Sequence, residues 1–201
     1  MNKLLLLFAT LPAFAGDFVN LTFDEPDLTG PLDPLLPGGP YLGRTADLLP
    51  GWTVRVGGDV ASQVTYAPIK KSSFGPVTLR ENPAGQLGFG SLELHSPVPP
   101  APEIRLSQRG TIPADAAGLW IYGAGYAQMF INGQRVGDTV NDLTVDVSRF
   151  AGQEVDLEFL VRSGDSIRFD VLGFVPVPEP STWALFGVGA AAILGLARRK
   201  H

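Results

Sequence analysis

Along the middle of the chain, apolar and polar residues alternate in short runs, the two-residue period of a strand with one buried face. In Phe18-Val19-Asn20-Leu21-Thr22-Phe23, one face would hold Val19, Leu21 and Phe23. Trp52-Thr53-Val54-Arg55-Val56, Ser91-Leu92-Glu93-Leu94-His95 and Glu103-Ile104-Arg105-Leu106-Ser107 repeat the pattern. Residues 119–122 form an all-apolar run that predicts a buried strand, and Met129-Phe130-Ile131 predicts the next. Asn132-Gly133 follows, the pair that favours a type I′ turn, so Gln134-Arg135-Val136 should return antiparallel. Leu143-Thr144-Val145-Asp146-Val147 alternates again. Residues 148–153 should make a single turn with Gly152 at positive φ. In residues 155–161, Val155, Leu157, Phe159 and Val161 share a face, and Ile167-Arg168-Phe169-Asp170-Val171 opens a last strand running through Phe174.

Short strands, frequent turns and no helical stripe predict an all-β, antiparallel β-sandwich over residues 16–176. Two stretches do not alternate. Residues 26–50 hold six prolines and predict a long loop, and residues 96–102 are rich in proline and predict another. Trp52, Trp120 and Phe159 fit strand cores, whereas Tyr41, Tyr66, Phe74 and Phe89 fall in predicted loops.

The two ends follow other rules. A basic Lys3, an apolar run to Phe14 and the small-x-small site Ala13-Phe14-Ala15 predict a cleavable signal peptide over residues 1–15, with signal peptidase as its partner. At the other end, Pro178-Glu179-Pro180 precedes sixteen uncharged residues, 182–197, and the basic cluster Arg198-Arg199-Lys200. As a helix this segment would extend about 24 Å, near the ~30 Å of a hydrocarbon core. The basic end should act as a cytoplasmic membrane stop. In order and spacing this tail, residues 177–201, resembles the PEP-CTERM sorting domain. The resemblance implies recognition by exosortase at Pro178-Glu179-Pro180, from an inner-membrane precursor. The mature protein would then reach the surface or exterior of a cell that makes exopolysaccharide.

Charge narrows the function. Residues 17–179 carry all twenty acidic residues against eleven basic ones, a net of −9. A phosphate-binding surface would have to be basic, so nucleic acid is not a partner. With no cysteine, thiolate metal sites and thiol catalysis are excluded, and the exported domain must hold together by its core alone.

Candidate chemistry is sparse. No nucleophile-elbow sequence frames a serine for His95, and the glycine-rich residues 85–90 lack the strand-to-helix setting of a phosphate loop. The acidic run Asp24-Glu25-Pro26-Asp27 sits where turns commonly collect acids. Residues 130–136, 143–161 and 167–174 are similar to the later strands of galactose-binding-like jelly-roll domains. That resemblance makes the expected β-sandwich jelly-roll-like, and implies a structural calcium held between Asp24 or Glu25 and Asp170, by hard oxygen ligands. The expected function is non-enzymatic: an exported surface or matrix protein associated with polysaccharide. A carbohydrate-active enzyme using acidic residues and a ligand-free coat protein are the alternatives. Facing carboxylates in a cleft would favour the enzyme, and exposed aromatics on an open face would favour the binder.

Overall fold

The computed structural model describes residues 18–68, 75–81, 90–96 and 101–177. The chain forms β1 (Asp33–Pro34), β2 (Tyr41–Arg44), the one-turn helix α1 (Thr45–Leu48), β3 (Thr53–Val56) and β4 (Asp59–Val60). There follow β5 (Gln63–Ala67), β6 (Val77–Glu81), β7 (Gly90–His95), β8 (Ile104–Thr111) and β9 (Ala116–Ile131). Last come β10 (Gln134–Val140), β11 (Leu143–Asp146), β12 (Glu154–Val161) and β13 (Ser166–Pro176).

These strands make two sheets that share β9. Sheet A runs β1-β2-β5-β6-β7-β13-β9, with β11 on the far side of β9. Sheet B runs β10-β9-β12-β8-β3-β4. The sheets pack face to face on one apolar core. Phe159 of sheet B and Phe169 of sheet A, both fully buried, meet with ring centroids 4.8 Å apart. Phe23 touches both Phe169 and Trp52. The inward set Val155, Leu157, Phe159 and Val161 on β12 is buried as its alternation requires. Burial of such side chains contributes roughly 1.5–3 kcal/mol each, and here it does so without a disulfide.

The turn chemistry read from sequence holds. Asn132 and Gly133 both take positive φ, at 51° and 73°, and β9 returns as β10 through that turn. Gly152 takes a φ of 73° after a 3-10 turn at Ser148–Phe150.

The structure departs from expectation in five places. Residues 18–23 are not a strand, because Asn20 and Phe23 adopt φ of 51° and 53° and break the alternation. Phe23 is buried while Val19 is 46% exposed. Instead, the Gln108 side-chain amide clamps the Val19 backbone, accepting from its N–H at 2.7 Å and donating to its carbonyl at 2.9 Å. Residues 26–50 are not a bare loop; they contain β1, β2 and α1 and bury Leu48 and Leu49 completely. Tyr41 and Tyr66 are not loop residues but register partners on β2 and β5, stacked at 6.5 Å. The two strands expected around residues 119–131 are one continuous strand. It leaves sheet A and enters sheet B past Gly123 and Gly125. Finally, pairing is antiparallel except between β5 and β6, which run parallel; alternation fixes a strand's faces, not its direction.

The expected signal peptide with Ala13 and Ala15 lies outside the described residues. So do Pro178, Glu179 and Pro180, the helix over 182–197, and the stop at Arg198, Arg199 and Lys200. Phe74, Phe89 and the glycine-rich residues 85–89 are outside them too. Among the described residues, no helix is long and apolar enough to cross a membrane.

Candidate functional site

On β9, Leu119 and Ile121 face the core, which turns Trp120 and Tyr122 to the outer surface of sheet A. The two rings lie side by side, centroids 5.6 Å apart. Expected in the core, Trp120 is only half-buried. Its register partner on β13 is Gly173, where an added Cβ would meet nothing within 4 Å, so the space beside the indole is open. On the β11 side its partner is the exposed Thr144. An apolar hollow of about 320 Å³ opens here, walled by Phe18, Leu21, Trp120, Val171, Phe174 and Val175.

Next to the rings, β13 carries a bulge. The register with β9 shifts between Phe169 and Val171, leaving Asp170 as the extra residue. The shift lets Ile167 and Phe169 before it, and Leu172 and Phe174 after it, all face the core. Across the ladder, Gly123 fits because a Cβ there would fall 2.0 Å from the Arg168 carbonyl oxygen. Asp142 secures the other edge of β9, its Oδ1 accepting from the Gly123 N–H at 3.2 Å.

The bulge gathers charge. Asp170 is 8% exposed, and Arg168 Nε lies 3.2 Å from its Oδ1. Burial pushes the Asp170 carboxyl above its ordinary value; Arg168 opposes this, and Asp142 and Glu93 add to it. Glu93, the register partner of Arg168 on β7, accepts from Arg80 at 2.8 Å. A second hollow, of about 420 Å³, is lined by Glu93, His95, Ala124, Ser166 and Arg168. His95 and Ser166 are register partners at its rim, both exposed. Neither side chain hydrogen-bonds a described residue, so these two do not form a nucleophile–base pair.

The carboxylates expected to hold calcium are not brought together. Asp24 is exposed and accepts from the Thr22 hydroxyl, while the Glu25 N–H donates to Asn20 Oδ1 at 3.1 Å. The charged neighbours of Asp170 are Arg168, Asp142 and Glu93, not Asp24 or Glu25. Among the described residues, no group of three or more His, Asp or Glu is arranged to hold a metal. The buried side-chain atom without a hydrogen-bond partner among the described residues is Asn20 Nδ2, a donor that would repel a cation. Asp27 serves a turn: its Oδ1 accepts from the Thr29 N–H and hydroxyl, and these bonds lower its pKa.

The outer face of sheet B is different. A hollow of about 530 Å³ is lined by Thr53, Ser107, Arg109, Asp156 and Glu158. Beside it run cross-strand ion pairs, Arg105–Glu158 at 2.7 Å and Arg109–Glu154 at 2.9 Å.

Fold and faces together define an all-β sandwich with an open aromatic strip on one sheet. Residues 176–200 match the PEP-CTERM protein-sorting motif. That motif indicates an exported protein that exosortase processes from a membrane-anchored precursor. No curated protein matches the chain. Among solved structures it is similar to a β-D-glucuronidase of Dictyoglomus thermophilum, at 17% identity and a TM-score of 0.32. The likeness covers 55% of this chain and 18% of that one, and at such a score it carries no argument.

Proposed function

We propose that the mature protein is a non-enzymatic polysaccharide binder of the cell surface or matrix, built on a galactose-binding-like jelly roll. On this reading it is delivered by a cleaved signal peptide and a transmembrane sorting helix. One observation carries the binding role: Trp120 and Tyr122 lie side by side on an outer strand face, with open space beside the indole over Gly173. A pyranose ring has an apolar C–H face, and large amphipathic rings provide a flat surface for it. Neither ring belongs to the core, which lies on the other side of β9.

Affinity electrophoresis of the full chain through gels containing exopolysaccharide from an exosortase-bearing host tests the reading. The wild type should be retarded, and Trp120→Ala should lose most of that retardation while still melting cooperatively as a folded domain. Equal mobility of the two proteins in every gel would refute the binding role. Release of new reducing ends from the polymer would favour the carbohydrate-active enzyme instead.

A further inference from the structure

The polar half of the face limits which glycan can lie there. A charged belt crosses sheet A from β6 to the β10–β11 turn. It contains Arg80, Glu93, Arg168, Asp170 and Asp142, three carboxylates against two guanidinium groups. Both guanidinium groups are already engaged, Arg80 by Glu93 at 2.8 Å and Arg168 by Asp170 at 3.2 Å. An anionic sugar would need a cation not already paired, and would meet this belt within a domain of net charge −9 over residues 17–179.

What remains toward the 420 Å³ hollow is a mixture of donors and acceptors. Glu93 keeps unused lone pairs, since a carboxylate offers about four acceptor sites. Ser166 both donates and accepts, and Arg168 has N–H groups beyond the one facing Asp170. Sugar hydroxyls, each with one donor hydrogen and two acceptor lone pairs, match that mixture. The aromatic strip continues directly into it, because Tyr122 is the register partner of Val171, next to the bulge.

Resting on the polysaccharide-binding reading, we infer that the ligand is a neutral glycan. Its apolar ring face lies on Trp120 and Tyr122, and its hydroxyls bond Glu93, Ser166 and Arg168. Asp170 is a positioning residue that neutralises Arg168, and so turns away polymers of uronic acids.

Affinity electrophoresis of the full-length chain in detergent tests this. The gels would contain neutral polymers (a galactomannan, dextran and a β-1,3-glucan) or polygalacturonate, at matched ionic strength. Wild type should be retarded in at least one neutral gel and run freely in polygalacturonate. Asp170→Asn leaves Arg168 without its counter-charge and should raise affinity for polygalacturonate about tenfold, a gain worth ~1.4 kcal/mol. Glu93→Gln, which removes the charge at the rim, should move retention in the same direction. A merely structural role for Asp170 would produce no such gain. Wild type held by polygalacturonate as firmly as by the neutral polymers overturns the neutral class and leaves the binding role standing. No gain in either variant overturns the neutralising role. No retardation in any gel overturns the polysaccharide reading as well.

Discussion

Both outer faces of the sandwich carry arginines paired with carboxylates, but the pairs have different surroundings. On sheet B, Arg109 and Glu154 sit with side chains 65% and 60% exposed, so water solvates each partner almost as well as the other partner does. Such pairs keep a surface soluble and add little to stability. On sheet A, Arg168 faces a carboxylate that a β-bulge has drawn out of water, beside two half-buried aromatic rings on the outer face. Charge that is solvated needs no further explanation. Charge that is desolvated at a bulge, next to aromatics turned to the outer face, marks where the fold has given up stability for a surface.

The largest perturbation should ignore this difference. Phe159 is fully buried at the contact between the sheets, so Phe159→Ala should cost ~3–5 kcal/mol, the range for a deleted buried aromatic. A domain of this size has only ~5–15 kcal/mol in hand. Both faces should fail together in a denaturant melt. Loss of one face's binding or ion pairs alone, with the melt unchanged, would mean that the sheets do not share a core.

A smaller change should separate the faces. In Gly123→Ala, the new Cβ would meet the Arg168 carbonyl oxygen at 2.0 Å, and backbone cannot rotate aside as a side chain can. The expected cost is about 3 kcal/mol, the upper end of overpacking, with the ladder between β9 and β13 parted. Gly133→Ala, in the β9–β10 turn on sheet B, meets nothing within 4 Å and pays only for its φ of 73°, about 1–2 kcal/mol. Retarded mobility in neutral polymer should be lost in the first variant and kept in the second. Equal melts for the two variants would contradict the close approach at Gly123.

The sheet B strands were the more legible in sequence. On β12 the alternation runs from Glu154 to Phe159 and each apolar residue is buried, and Asn132-Gly133 fixes the β9–β10 turn by its own stereochemistry. The sheet A face was harder to read for a physical reason. Residues 119–122 are apolar at every position, so periodicity cannot say which side is covered, and Trp120 was assigned to the core. The bulge did leave a trace. The apolar positions Ile167 and Phe169 are followed by Leu172 and Phe174, one residue out of step, and the residue that absorbs the step is Asp170. Residues 26–50 hid their elements because strands of two and four residues and a single helical turn are too short to show a period. Sequence order says nothing of distance between Asp24 or Glu25 and Asp170; in the structure Asp24 and Glu25 take part in turns of their own, and the charges acting on Asp170 are Arg168, Asp142 and Glu93.

The smallest effects should have opposite signs on the two faces, and pH separates them. Burial raises the Asp170 pKa above its ordinary 3.8, so the fold disfavours the charged form. The resulting penalty is complete above the folded-state pKa and disappears as pH falls to 3.8 and below. Glu154 is the reverse. Its hydrogen bond and attraction to Arg109 lower its pKa below 4.5, so its stabilising contribution is complete above 4.5 and is lost as pH falls through the folded value. Asp170→Asn should therefore melt higher than wild type at pH 7, and Glu154→Gln slightly lower. The Asp170→Asn difference should close toward pH 3, where wild-type Asp170 is protonated, and the Glu154→Gln difference should shrink as pH falls through the lowered Glu154 value. Salt supplies the second axis. At 1 M the screening length is about 3 Å, enough to erase the exposed Glu154 contribution, whereas a desolvation penalty at Asp170 does not depend on screening. Melting curves of the three proteins at pH 7 and pH 3, in low and high salt, would decide the matter. An Asp170→Asn protein that melts below wild type at pH 7 would show that Arg168 outweighs burial, and that the sheet A charges are held no differently from those on sheet B.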